Sequence, residues 1–149
     1  MYVVAFDEGN RPTSNIGIRF LLSFCLFLFL DATWLLCMSK TLYKQFLDDH
    51  IEKTTSHKTR VFFECLYILI SALFVSICVY FESYSSAIVF GCIIGFVIYA
   101  TFNITTLVIT PMWGRTEPYT WKVPIIDTIW GMFLWSVVCG FIFLFDEKY

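Results

Sequence analysis

The chain has 149 residues, of which 58% are hydrophobic, 20% aromatic and only 15% charged, with a formal net charge of −2. Its mean hydropathy is +0.73. A soluble domain carries about 25% charged residues, so the composition excludes an ordinary soluble domain and points to a membrane class. The few basic residues give no support to nucleic-acid binding.

A mixed-charge leader precedes the first apolar run, Ile16–Met38. That run is too long for a signal-peptide core, and no small-residue cleavage site follows it. It is therefore expected to stay as a span. Three more runs follow, at Val61–Phe81, Ser86–Ile109 and Val123–Phe145. Each has about the 20 residues that carry a helix through a hydrocarbon core of about 30 Å. None alternates as a barrel strand does, and helices satisfy their own backbone hydrogen bonds in lipid. The expected fold is all-α, a polytopic membrane protein with four transmembrane helices in an antiparallel bundle with short loops. Residues 1–149 form a single domain in this reading.

Between the first two spans, Leu42, Tyr43, Phe46, Leu47 and Ile51 recur at helical spacing, with Lys40, Lys44, Asp48 and Glu52 on another face. This fits an amphipathic helix at the membrane surface. A solvated cap on the bundle fits equally well. His50 and His57 in the same loop are too few for a metal site. The next loop, Thr110–Lys122, mixes turn residues with Trp113, Tyr119 and Trp121, which suit the headgroup level. Pro111 is expected to end the third helix, and Pro124 to sit in the first turn of the fourth. The six cysteines, Cys25, Cys37, Cys65, Cys78, Cys92 and Cys139, all lie inside spans with no C-x-x-C pair. They read as small apolar packing residues, and neither a disulfide nor a metal site is expected.

Four spans put both termini on one side, side A, and the loops Ser39–Arg60 and Thr110–Lys122 on the other, side B. Side B holds Lys40, Lys44, Lys53, Lys58, Arg60, Arg115 and Lys122, whereas side A holds Arg11, Arg19 and Lys148. The positive-inside rule then places side B in the cytoplasm and the termini outside, with Arg19 as a contrary charge.

The few polar residues inside the spans share one level. Asp31 lies before the side-B end of span one, and Glu64 just inside span two. Asn103 lies before the side-B end of span three, and Asp127 just inside span four. At 1.5 Å per residue, all four fall roughly 5–10 Å below the side-B surface. Ionisable groups at such depth face the bundle interior, a partner or a water-filled cavity. Asp31 and Asp127 are placed to share a proton or a cation, with Thr33, Tyr99, Thr101, Thr105 and Thr106 as available hydrogen-bonding neighbours. Asp31-Ala32-Thr33-Trp34 and Asp127-Thr128-Ile129-Trp130 share a D-x-x-W pattern that sets acid and indole on one helix face. Asp127 near a helix start also meets the helix dipole favourably, which is a purely structural alternative. In span three, Gly91, Gly95, Tyr99 and Asn103 recur every four residues. Gly91 and Gly95 let another helix approach closely, as does Gly131 in span four. Asn103 on that stripe reads either as a ligand-site residue or as hydrogen-bonded glue in a packing seam. The candidate ligand-binding cluster is thus Asp31, Trp34, Glu64, Tyr99, Asn103, Thr106, Asp127 and Trp130.

Three segments carry a resemblance. They are Leu30-Asp31-Ala32-Thr33-Trp34-Leu35, the stretch from Tyr99 to Leu107, and Trp121-Lys122-Val123-Pro124-Ile125-Ile126-Asp127-Thr128-Ile129-Trp130-Gly131. In order and spacing the chain resembles, over nearly its whole length, a family of small integral membrane proteins catalogued as domain of unknown function 2177. Its members are mostly bacterial, with relatives in some large DNA viruses. The resemblance implies four membrane helices and no established reaction. Where the family usually reads Tyr-Asp-Leu-Thr-Asn in span three, this chain has Phe102, Asn103 and Thr106 at the departing positions, so one expected carboxylate is an amide. A divergent viral member is one implication, with a place in the internal membrane of a virion.

Two functions follow as expectations. One is binding of a lipid, ion or small molecule at the side-B cluster. The other is a structural or interaction role, anchoring an assembly through loops 39–60 and 110–122. A membrane enzyme is disfavoured, because no nucleophile–base pair, HExxH, P-loop or histidine cluster appears. Expected partners are the bilayer, proteins at the two loops and further copies of the chain, with no cofactor.

Overall fold

The computed structural model describes residues 15–38, 41, 57–78, 81–112 and 122–148. The leader, most of the 39–56 loop with its expected amphipathic helix and His50, and the aromatic loop 113–121 lie outside the described residues. Four helices make up the fold: α1 (Ile16–Met38), α2 (His57–Cys78), α3 (Tyr84–Met112) and α4 (Lys122–Lys148).

Local sequence sets where two of them start. Asn15 caps α1, its Oδ1 accepting the Gly17 amide at 2.8 Å while its carbonyl takes the amides of Ile18 and Arg19. Ser83 caps α3, with its Oγ accepting the Ser86 amide at 3.2 Å. Both side chains satisfy amides that have no partner within the helix. α1 coincides with the expected first span. The other helices run beyond their apolar stretches: α2 starts at His57, α3 at Tyr84 and α4 at Lys122. Pro111 does not end α3, which continues to Met112. Its missing amide hydrogen removes one bond in the last turn only, where a helix tolerates the loss better than in its interior. Pro124 lies in the first turn of α4, where no donor is needed.

α1, Tyr84–Thr106 of α3 and Lys122–Glu147 of α4 are long and apolar enough to cross a membrane, and the apolar part of α2, Val61–Ile77, is shorter. At about 1.5 Å per residue that stretch reaches about 25 Å. A bilayer accommodates such a short span by local thinning or by tilt of the neighbours. The outer faces are apolar as lipid contact requires, with Phe29 68% and Leu36 76% exposed. Cys25, Cys37 and Cys65 also face outward, whereas Cys139 is in the core.

α4 is the hub of the bundle. It makes its most extensive contact with α3 and a smaller one with α1, and α1 packs along α2. Phe27 of α1, Ile68 and Ala72 of α2, and Leu134, Trp135, Val138 and Ile142 of α4 meet in the core. Lipid tails are as apolar as these side chains, so burial alone does not drive the helices together. Close packing and hydrogen bonds do. The α3/α4 seam shows how. A Cβ on Gly91 would lie 2.5 Å from the Trp135 carbonyl oxygen and 2.7 Å from the Ser136 Cα. One on Gly95 would strike the Gly131 backbone, and one on Gly131 the Tyr99 ring. Ser136 Oγ then donates across the seam to the Ile88 carbonyl at 3.1 Å.

At the side-A end, Arg19 points inward and is 1% exposed. Its Nε lies 3.4 Å from Asp146 Oδ2, and its Nη2 donates to the Val75 carbonyl at 3.4 Å. One guanidinium thus joins α1, α2 and α4.

The seam generates a direct test. Gly91→Val forces α3 away from the α4 backbone, and an overpacked contact of this kind costs about 1–3 kcal/mol. The variant is expected to show a lower midpoint in detergent thermal unfolding, with helix content by circular dichroism unchanged at low temperature. Val89→Leu on the outward face of the same helix is expected to unfold with the wild type.

Candidate functional site: an interior polar cluster

The polar residues of the four helices meet at the side-B level. On α1, Arg19, Ser23, Phe27 and Asp31 form the buried stripe, one turn apart. Asp31 is 5% exposed, Asn103 1% and Asp127 9%. The half-buried Glu64 of α2 turns toward α1, within side-chain hydrogen-bonding contact of Asp31, and also feels the charge of Asp127. A contact between two carboxyls needs a proton held between them, because ionised carboxylates only accept.

Asn103 joins α3 to α4. Its Nδ2 donates to Asp127 Oδ2 at 3.1 Å and lies 3.3 Å from Thr128 Oγ1. An amide can donate where a carboxylate only accepts, so the amide at this position makes a bond that two ionised acids would oppose. Asp127 lies beyond the first turn of α4, where the effect of the helix dipole has faded. The side chain of Asn103, rather than the dipole, partners it.

The two D-x-x-W segments work across helices. Trp130 Nε1 donates to Asp31 Oδ1 of α1 at 3.1 Å, not to the acid of its own segment. Trp34 stacks on Trp130 with ring centroids 4.5 Å apart and planes 4° from parallel. The stacked indoles therefore clamp α1 to α4 directly beside Asp31. Below them, Tyr99 of α3 accepts a hydrogen bond from Tyr67 of α2 at 3.3 Å, and Tyr67 in turn accepts from Trp135 Nε1 at 3.2 Å.

Of the expected cluster, Asp31, Trp34, Glu64, Asn103, Asp127 and Trp130 come together, with Tyr99 one layer deeper. Thr106 bonds its hydroxyl to the Phe102 carbonyl of its own helix at 2.9 Å. Thr33 does the same with Phe29 at 2.7 Å. Thr101 and Thr105 are exposed. Tyr67, Trp135 and Thr128 belong to the network without having been singled out. For Tyr67 the signal was present: it lies one turn from Glu64 and one from Ser71, on the same face of α2. Among the described residues, no group of three His, Cys, Asp or Glu side chains is placed to hold a metal ion.

Four apolar helices around a hydrogen-bonded polar interior define an integral, multi-pass membrane protein. The chain matches, over residues 16–144, the family described as "predicted membrane protein (DUF2177)". It belongs to that family. No curated protein and no solved structure matches it.

The Asn103–Asp127 contact yields a prediction. Asn103→Asp places two acceptors about 3 Å apart. The contact survives only if the pair takes up a proton. The variant is expected to unfold at a lower temperature than the wild type at pH 8 and to recover much of the difference at pH 5. Equal destabilisation at both pH values would contradict the assigned bond.

Proposed function

We propose that the chain is a membrane-embedded binding protein whose side-B cluster takes a positively charged group. One observation carries the reading. All four helices contribute to one interior layer, which gathers the carboxyl groups of Asp31, Glu64 and Asp127 with the Asn103 amide and the Trp130 indole. Such a layer in hydrocarbon is complemented by a cation or a hydrogen-bond donor. The stacked Trp34 and Trp130 add an aromatic surface beside it, and aromatic faces favour cations. The ligand chemistry is therefore a monovalent cation or an ammonium group, the latter free or on a lipid headgroup. Side B is read as the cytoplasmic face from its excess of lysine and arginine. Burial of Arg19 against Asp146 supports that orientation, because it removes the contrary charge from the side-A surface.

Native mass spectrometry of the protein extracted gently from its membrane tests the reading. The expected result is a reproducible added mass that is lost in Asp127→Asn. A mass matching an amine-headgroup lipid assigns the ammonium to lipid. Small-cation adducts that change with the salt of the buffer assign a free ion. A bare chain recovered only with stoichiometric protein partners would overturn the binding reading and make the protein an anchor.

A further inference from the structure

The four helices close on three edges and leave the fourth open. α1 packs along α2, α1 meets α4, and α4 is sealed to α3, but among the described residues α2 and α3 form no comparable seam. The Tyr67–Tyr99 pair reaches across this edge, with hydroxyls 3.3 Å and ring centroids 6.2 Å apart. Both tyrosines lie about one turn deeper than the acid layer, because Glu64 precedes Tyr67 on α2 and Asn103 follows Tyr99 on α3. On the side-B side of that bridge the edge is uncovered. Phe63 lies one turn from Tyr67 on the same face of α2 and is 60% exposed. Phe102 lies one turn from Tyr99 on the same face of α3 and is 64% exposed. The resulting cleft has the tyrosines as its floor and phenylalanines at its mouth. The carboxyl groups of Glu64, Asp31 and Asp127 lie at its inner end.

We infer that, given a cluster that takes a positively charged group as proposed, this cleft admits a membrane lipid with a primary ammonium headgroup laterally from the side-B leaflet. The binding reading is thus the premise, and the cleft determines what carries the charge. Its mouth faces acyl chains rather than water, and the exposed rings of Phe63 and Phe102 are as apolar as those chains. Its inner end is acidic, so charge complementarity favours a cationic headgroup. Carboxyl oxygens accept the N–H donors of a primary ammonium, and such charge-assisted bonds are strong. The depth fits as well. The apolar part of α2, Val61–Ile77, is short, and a bilayer thins beside such a span. Glu64 is only about 5 Å along the axis from the start of that stretch. Headgroups beside α2 therefore sit close to the level of the acids, at the one edge of the bundle that is open to them.

Native mass spectrometry of the full chain in detergent, titrated with defined lipids, tests the lateral site. Dioleoylphosphatidylethanolamine is expected to bind about tenfold more tightly than dioleoylphosphatidylcholine, whose trimethylammonium carries charge but donates no N–H bond. Free ethanolamine is expected to bind more weakly than the ethanolamine lipid, because it brings no acyl chains. Glu64→Gln is expected to shrink the preference between the two lipids severalfold, with helix content checked against the wild type. A second measurement needs no variant. A phosphatidylethanolamine carrying a diazirine in the acyl chain next to the headgroup is irradiated with the wild type, and the labelled residues are mapped. Labelling is expected at Phe63 and Phe102 well above that at Phe29, which faces outward on α1 two residues from Asp31. Equal binding of the two lipids, a preference unaltered in folded Glu64→Gln, or labelling no greater at Phe63 and Phe102 than at Phe29 would each overturn the lateral site. Sodium or free ethanolamine bound in an Asp127-dependent way, with no preference between the lipids, leaves the binding reading standing and removes the lipid. Absence of any bound mass removes both.

Discussion

Hydrocarbon offers no hydrogen-bonding partners, and that constraint organises the whole molecule. A polar side chain inside a span is stabilised by a partner on another helix or on its own backbone. Thr33 and Thr106 take the backbone route and stay on the surface of the bundle. Asp31, Glu64, Asn103, Asp127 and Arg19 have too many polar atoms for that, and each reaches a neighbouring helix. These bonds average about 0.6 kcal/mol in membranes, so no single one holds the fold. Their effect is to fix register and rotation, which the uniform apolar outer faces leave undetermined.

α4 becomes the hub for the same reason. It carries Asp127 toward α3, Trp130 toward α1, Trp135 toward α2 and Asp146 toward Arg19. The glycines on its α3 face allow an approach close enough for the Asn103 amide to reach Asp127. Packing and polar pairing are thus one device: without the Gly91–Gly95 seam the amide would fall short, and without the amide the seam could slide.

Much of this was legible in the sequence, and the limit lies in a specific place. Span number, helix class and the shared depth of Asp31, Glu64, Asn103 and Asp127 follow from run length and a fixed rise per residue. Partner identity does not, because it depends on the rotation of each helix about its axis. The D-x-x-W segments invited pairing of each acid with its own indole, yet Trp130 serves Asp31. Arg19 read as a flanking surface charge, and its place on the Arg19–Ser23–Phe27–Asp31 stripe was the overlooked sign that it points inward. Pro111 ended the apolar pattern without ending the helix, which includes Met112. Tyr67 escaped notice because Tyr is unremarkable in an aromatic-rich chain until its neighbours are placed.

The acids of separate helices face one another in a shared interior layer. Disulfide trapping in native membranes tests it most directly. With the six native cysteines replaced, the pairs Asp31→Cys with Glu64→Cys, and Asn103→Cys with Asp127→Cys, are oxidised under mild conditions. Both pairs are expected to crosslink rapidly within one chain, and Phe29→Cys with Glu64→Cys is expected not to, because Phe29 faces outward. Crosslinking in the Phe29 pair with none in the other two would show that α1 is rotated and that the acids do not form one layer.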